Sequence, residues 1–104
     1  MLNPVMNNTK WEKLRLQMYA LSPTPAWSTL STGGYRSHPD REWFYHFREG
    51  GYEDILHVDI LVETSAQREA VRSALRAVHV PGEETPSGFR VFGYLFDGQG
   101  ADYI

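Results

Sequence analysis

Glu42 to Val62 limits more than any other stretch what this chain can fold into. Glu42-Trp-Phe-Tyr-His-Phe47 and Asp54-Ile-Leu-His-Val-Asp-Ile-Leu-Val62 flank Gly50-Gly51, the pattern of a β-hairpin. With the turn centred between the glycines, strand alternation sets Trp43, Tyr45, Phe47, Leu56, Val58, Ile60 and Val62 on one face. Glu42, Phe44, His46, Ile55, His57, Asp59 and Leu61 fall on the other. The first set is expected to be core, and the second an open or half-open surface.

A chain of 104 residues is long enough to bury one core without metal or disulfide staples. Its 41% hydrophobic and 22% charged residues are those of a globular domain, not a disordered one. The net charge of −3 argues against a nucleic-acid binder, which needs a positive field. The charge is uneven: residues 1–52 hold six Lys/Arg against four Asp/Glu, and residues 53–104 hold four against nine. Cysteine is absent, which excludes a disulfide scaffold, a thiolate zinc site and a cysteine nucleophile. No apolar run approaches the ~20 residues of a membrane span. The start, Met1-Leu-Asn-Pro-Val-Met6, lacks the basic and apolar regions of a signal peptide, so the expected location is cytoplasmic. Residues 1–6 are expected to be a flexible leader, and 7–104 a single α+β domain.

Thr9-x-x-Glu12 has the capping-box pattern, and Trp11, Leu14, Met18 and Leu21 follow at helical spacing. Ser22-Pro-Thr-Pro25 stops that helix, because proline cannot continue it. Ala26 to Leu30 reads as a short strand, then a turn at Ser31-Thr-Gly-Gly34 and a polar loop to Arg41. After the hairpin, Thr64 and Gln67 cap a helix over 65–78 with Val71, Ala74, Leu75 and Val78 as its apolar stripe. Pro81 to Gly88 reads as a loop, and Phe89 to Phe96 as a last, central strand. The predicted order is α-β-β-β-α-β: a two-layer α+β sandwich whose four-stranded, mostly antiparallel sheet carries both helices on one face. The last strand is expected to return parallel to the third.

His46, His57, Asp59 and Glu42 form the first chemical constellation. In the hairpin register Phe44 lies opposite His57 and Glu42 opposite Asp59, with His46 on the diagonal. Two imidazoles and two carboxylates on one patch could hold a divalent ion, or supply an acid and a base near neutral pH. A solvated outer face is the plainer reading, since polar alternation is normal on antiparallel sheets. No catalytic residue, metal ligand or cofactor is assigned from it. Phe44, Ile55 and Leu61, joined by Phe92 and Tyr94, would expose an aromatic patch of the kind found at protein interfaces, unless a helix or the tail covers it. Arg68, Arg72 and Arg76 line one side of the second helix, where a stripe of charge usually marks the solvated face. The paired glycines lack the strand–glycine–helix order of a phosphate loop, and no nucleophile motif surrounds Ser37, His38 or Asp40.

Asn7-Asn-Thr-Lys-Trp-Glu12 leading into an amphipathic helix, and Glu42-Trp-Phe-Tyr-His-Phe47 before a Gly-Gly turn, resemble a family of small bacterial cytosolic proteins of unassigned function. The resemblance runs from about Asn7 onward, implies a bacterial cytosolic origin, and carries no catalytic residues. Many small acidic bacterial proteins without enzyme motifs are immunity proteins, and by that analogy the leading expectation is a binding protein that neutralises a cognate toxin. The contact surface is expected at Glu42, Phe44, His46, His57 and Asp59, with Glu83 and Glu84 from an acidic loop. A small metal-dependent or acid–base enzyme built on His46, His57 and Asp59 is the alternative, and a homo-oligomeric scaffold a third. Neither nucleic acid nor membrane is expected as a partner.

Overall fold

Two helices form where the sequence offers a cap and an apolar stripe. The computed structural model describes residues 1–104. The first helix, α1, spans Asn8–Tyr19 and buries Trp11, Leu14, Arg15 and Met18. Its N-cap is Asn7, two residues before the threonine the spacing favours; the Asn7 side chain accepts from the Lys10 amide at 2.9 Å. The second helix, α2, spans Ser65–Val78 as predicted, and Thr64 accepts from the Gln67 amide at 3.1 Å. Gln67 Oε1 in turn accepts from the Glu63 amide at 2.8 Å, one residue earlier than a strict capping box. His79 closes α2 in the left-handed conformation, at φ 65°, and donates its amide to Leu75 O.

Six strands accompany them: β1 (Leu2–Pro4), β2 (Ala26–Ser31), β3 (Ile55–Leu61), β4 (Gly82–Thr85), β5 (Gly88–Phe92) and β6 (Tyr94–Phe96). The main sheet has the order β2-β3-β5-β4 with every neighbouring pair antiparallel. It carries both helices on one face, so the α+β class, the four strands and the one-sided helical layer are as the sequence predicts. The strands that build it differ. Glu42–Phe47 is not a strand, and the Pro81–Gly88 segment expected to be a loop supplies β4. The last strand does not return parallel to the third. Helix α2 carries the chain from β3 to β4, and antiparallel β5 lies between those two, giving a split β-α-β unit.

Register then sorts the faces row by row. Trp27, Ile60, Phe89 and Glu84 align across the sheet on the helix side, as do Thr29, Val58, Val91 and Gly82. On the outer side the rows are Ser28–Asp59–Arg90–Glu83 and Leu30–His57–Phe92. A bulge where Leu30 pairs with His57 but Ser31 with Ile55 shifts the parity of β3, which is why Ile55 is buried and not on the open face. Gly93 divides the predicted last strand into β5 and β6. A Cβ there would lie 2.1 Å from the carbonyl oxygen of Ile55, so only glycine permits that approach.

Residues 1–6, expected to be a free leader, contribute β1, which pairs with β6 in a small second sheet. Between β2 and β3 the chain follows the open edge of β2, bridging Leu30 to Arg36 and Trp27 to Asp40. It then coils through consecutive turns over 43–50 that sink Trp43 and Phe47 against Trp27, with ring centroids 4.7 to 6.0 Å apart. Trp11 and Tyr52 complete this aromatic cluster. No helix is long and apolar enough to cross a membrane.

Candidate functional site

The segment after β2 is shaped by one carboxylate. Glu42 accepts backbone N–H bonds from Tyr45 at 2.7 Å, His46 at 2.8 Å and Phe44 at 3.2 Å. These bonds hold its carboxyl below the usual carboxylate range, led by the amide of His46. They also bend residues 43–50 so that Trp43 and Phe47, four apart, turn inward together while Tyr45 turns out. Tyr45, expected in the core, is 64% exposed.

That bend creates an aromatic edge. Phe44, half-buried, lies 5.2 Å from the ring of Tyr19 and 4.9 Å from that of Tyr45. Tyr19 is 54% exposed, and Leu16, three residues earlier on the same side of α1, is also exposed. The guanidinium of Arg48 stands 5.5 Å from the Phe44 ring centre and 5.7 Å from that of Tyr45, and that of Arg15 4.9 Å from Phe44. Arg15 is buried. It donates to the carbonyl of Phe44 at 2.7 Å and to the Glu12 carboxylate at 2.7 and 3.1 Å, which fixes the edge to α1.

His46 is exposed on the other side of the turn and pairs with Asp40 at 2.8 Å through Nδ1. Asp40 is locked by backbone bonds to Trp27 in both directions, and its Oδ1 accepts from the Glu42 amide. The carboxylate of Asp40 raises the affinity of His46 for its proton. His46 lines a hollow of about 220 Å³ with Trp27, Thr29 and Ser37, that is, on the helix side of β2.

His57 and Asp59 lie on the opposite face of the sheet. His57 is buried edge-on against Phe92 with the Arg36 guanidinium 3.1 Å from its Nε2. Burial, assisted by Arg90, brings its pKa down to about 4 and keeps the ring neutral near pH 7. Asp59 accepts two bonds from Arg90, at 2.7 and 3.1 Å, and one from Arg36 at 3.0 Å. Burial alone would raise its pKa, but these guanidinium contacts lower it. Asp59 therefore faces Arg90 and Ser28, not Glu42.

The expected single face is thus three separate places. Glu42 is consumed as a cap, Phe44 belongs to the aromatic edge, His46 to a hollow, and His57 and Asp59 to an ion-paired outer face. Glu83 and Glu84 sit on strand β4 and point to opposite sides; Glu84 receives Arg68 at 2.9 Å and Arg72 at 2.7 Å. Those two arginines lie over Phe89, and Arg68 also donates to the carbonyls of Thr85, Pro86 and Gly88. The arginine stripe is therefore in large part an internal clamp. Nowhere do three His, Asp or Glu side chains converge as a metal site would need. Tyr19 and Arg48 were not singled out from the sequence, although Tyr19 breaks the apolar stripe of α1 and so signals an outward aromatic.

Fold and surface together define a small α+β domain with a split β-α-β sheet, a self-neutralised outer face and an open aromatic edge. The chain belongs to a family of unknown function, DUF6678, whose model matches residues 1–98. No curated protein and no solved structure matches it.

Proposed function

We propose that this chain is a protein-binding module, and specifically an immunity protein that neutralises a bacterial antagonistic toxin in the cytoplasm by direct binding. The observation that carries the binding role is the contiguous edge of Tyr19, Phe44 and Tyr45 beneath Arg48, in which two rings are more than half exposed. Tyrosine, phenylalanine and arginine are enriched at interfaces, tyrosine and arginine often dominating their energetics, and here Phe44, Tyr45 and Arg48 sit on a segment tied down by Glu42 and Arg15. A preorganised edge avoids much of the ordering cost of association. The toxin-neutralising form rests on analogy with small acidic bacterial proteins.

The contact surface accordingly centres on Phe44, with Tyr19, Tyr45 and Arg48 around it. His57, Asp59 and Glu84 already have partners within the chain and lie elsewhere. The enzyme alternative has no comparable support, because His46 is separated from His57 and Asp59 by the sheet.

The test is the affinity of the purified protein for the product of the neighbouring gene, with Tyr19→Ala and Tyr45→Ala as variants. Weakening by at least about tenfold per ring, with the melting temperature unchanged, is the expected result. Unchanged affinity removes this edge. Light scattering at several concentrations separates the scaffold reading: a dimer dissolved by Tyr45→Ala would assign the edge to self-association instead.

A further inference from the structure

We propose that the aromatic edge receives an acidic segment of the partner, one that seats a carboxylate on Arg48 and lays an aromatic or aliphatic side chain against Tyr19, Phe44 and Tyr45. The inference rests on the binding-module reading and adds the chemistry of the partner.

The charge inventory carries it. Six of the eight arginines are ion-paired within the chain: Arg15, Arg36, Arg41, Arg68, Arg72 and Arg90. Arg48 is one of the two that are not, and it alone of those two stands over the rings of this edge, half-buried Phe44 and exposed Tyr45. A guanidinium lying against an aromatic face keeps the N–H donors around its rim available, in the fork that matches a carboxylate. Arg15, against the same ring of Phe44, is ion-paired with Glu12, so Arg48 is the arginine of this edge that has no ion-pair partner. Glu49, next in sequence, lines the hollow on the His46 side and forms no ion pair with Arg48. Beside the rings, the unpaired charge is therefore positive. A basic segment would be repelled there, and a neutral one would leave Arg48 to be desolvated without a counter-charge.

Random copolymers of glutamate with tyrosine and of lysine with tyrosine are suitable probes, with fluorescence anisotropy as the readout. The glutamate–tyrosine copolymer is expected to bind the full chain. Arg48→Glu should weaken it by about tenfold or more, because like charge is then placed in the contact. Arg76→Glu, at the other unpaired arginine, should leave binding unchanged. Preference for the lysine copolymer, equal binding by Arg48→Glu, equal loss in Arg76→Glu, or no binding of the glutamate copolymer each overturns the proposal. None of these outcomes touches the loss of native-partner affinity in Tyr45→Ala, so the failure of this inference and that of the binding role are read separately.

Discussion

Arg15 Nη1 donates to the carbonyl oxygen of Phe44 at 2.7 Å, joining the middle of α1 to a segment 29 residues away. The same guanidinium holds Glu12, which also accepts from the Tyr52 hydroxyl at 2.5 Å. The hydrogen bond from Tyr52, then the contact with Arg15, keeps Glu12 below the ordinary glutamate range. A buried charge thus organises the aromatic edge from beneath, with each of its three guanidinium nitrogens donating one hydrogen bond within the chain.

Arg15→Met should therefore cost about 2–3 kcal/mol in urea unfolding, toward the lower end for a broken buried pair because Glu12 retains partial access to solvent. The loss should be accompanied by faster amide exchange at residues 44–46. A stability within about 0.5 kcal/mol of wild type would show that the staple is dispensable.

Gly93→Ala should be among the most damaging small substitutions, because the new methyl would sit 2.1 Å from Ile55 O and 3.1 Å from the Trp11 ring. Both neighbours are buried, and the first is backbone, so neither can step aside. A loss of roughly 3 kcal/mol or more is expected. Gly98→Ala, where nothing lies within 4 Å and only the φ of 80° is strained, should cost about 1 kcal/mol. Thermal melts of the two variants check the ranking.

His57 sets a pH dependence of definite sign. Its pKa is about 4 in the folded protein against an ordinary 6.5, so the unfolded chain binds the proton more readily. Stability should fall as pH drops below about 6.5 and level off near pH 4, by as much as about 3 kcal/mol. His57→Gln should flatten that slope. Carboxylates such as Asp59, whose folded pKa is lowered, release their contribution only at still lower pH.

His46 should behave in the opposite sense. Its hydrogen bond to Asp40 raises its pKa above 6.5, and the stabilisation is present below the unfolded value and disappears as pH rises through the folded one. An NMR titration should place the His46 midpoint above 6.5 in wild type and bring it down toward that value in Asp40→Asn. An unchanged midpoint in that variant would mean that the pair is not formed in solution.

The aromatic edge was only half legible. Trp43, Tyr45 and Phe47 alternate like a strand, but Trp43 and Phe47 are also four apart, and two buried rings satisfy either period. The deciding signal was Asp40-x-Glu42: two carboxylates ahead of an aromatic run, placed to accept the N–H groups of a turn. His57 was read correctly as facing away from the helices. Its burial there depends on Arg36 and Phe92, which come from distant parts of the chain.

What the sequence by itself determined is what short-range chemistry can specify. It includes α2 with its Thr64 cap, β2, the inward run Val58 and Ile60, and the class of fold with helices on one face. Only the tertiary structure decided which strands pair, because β4 and β5 are joined across a short Thr85–Gly88 turn and insert themselves where a parallel return was expected. It alone also decided which charges are spoken for. Periodicity records which side of an element is apolar, but ion pairing depends on side chains that meet across many residues of chain, and that leaves Arg48 free where Arg90 is not.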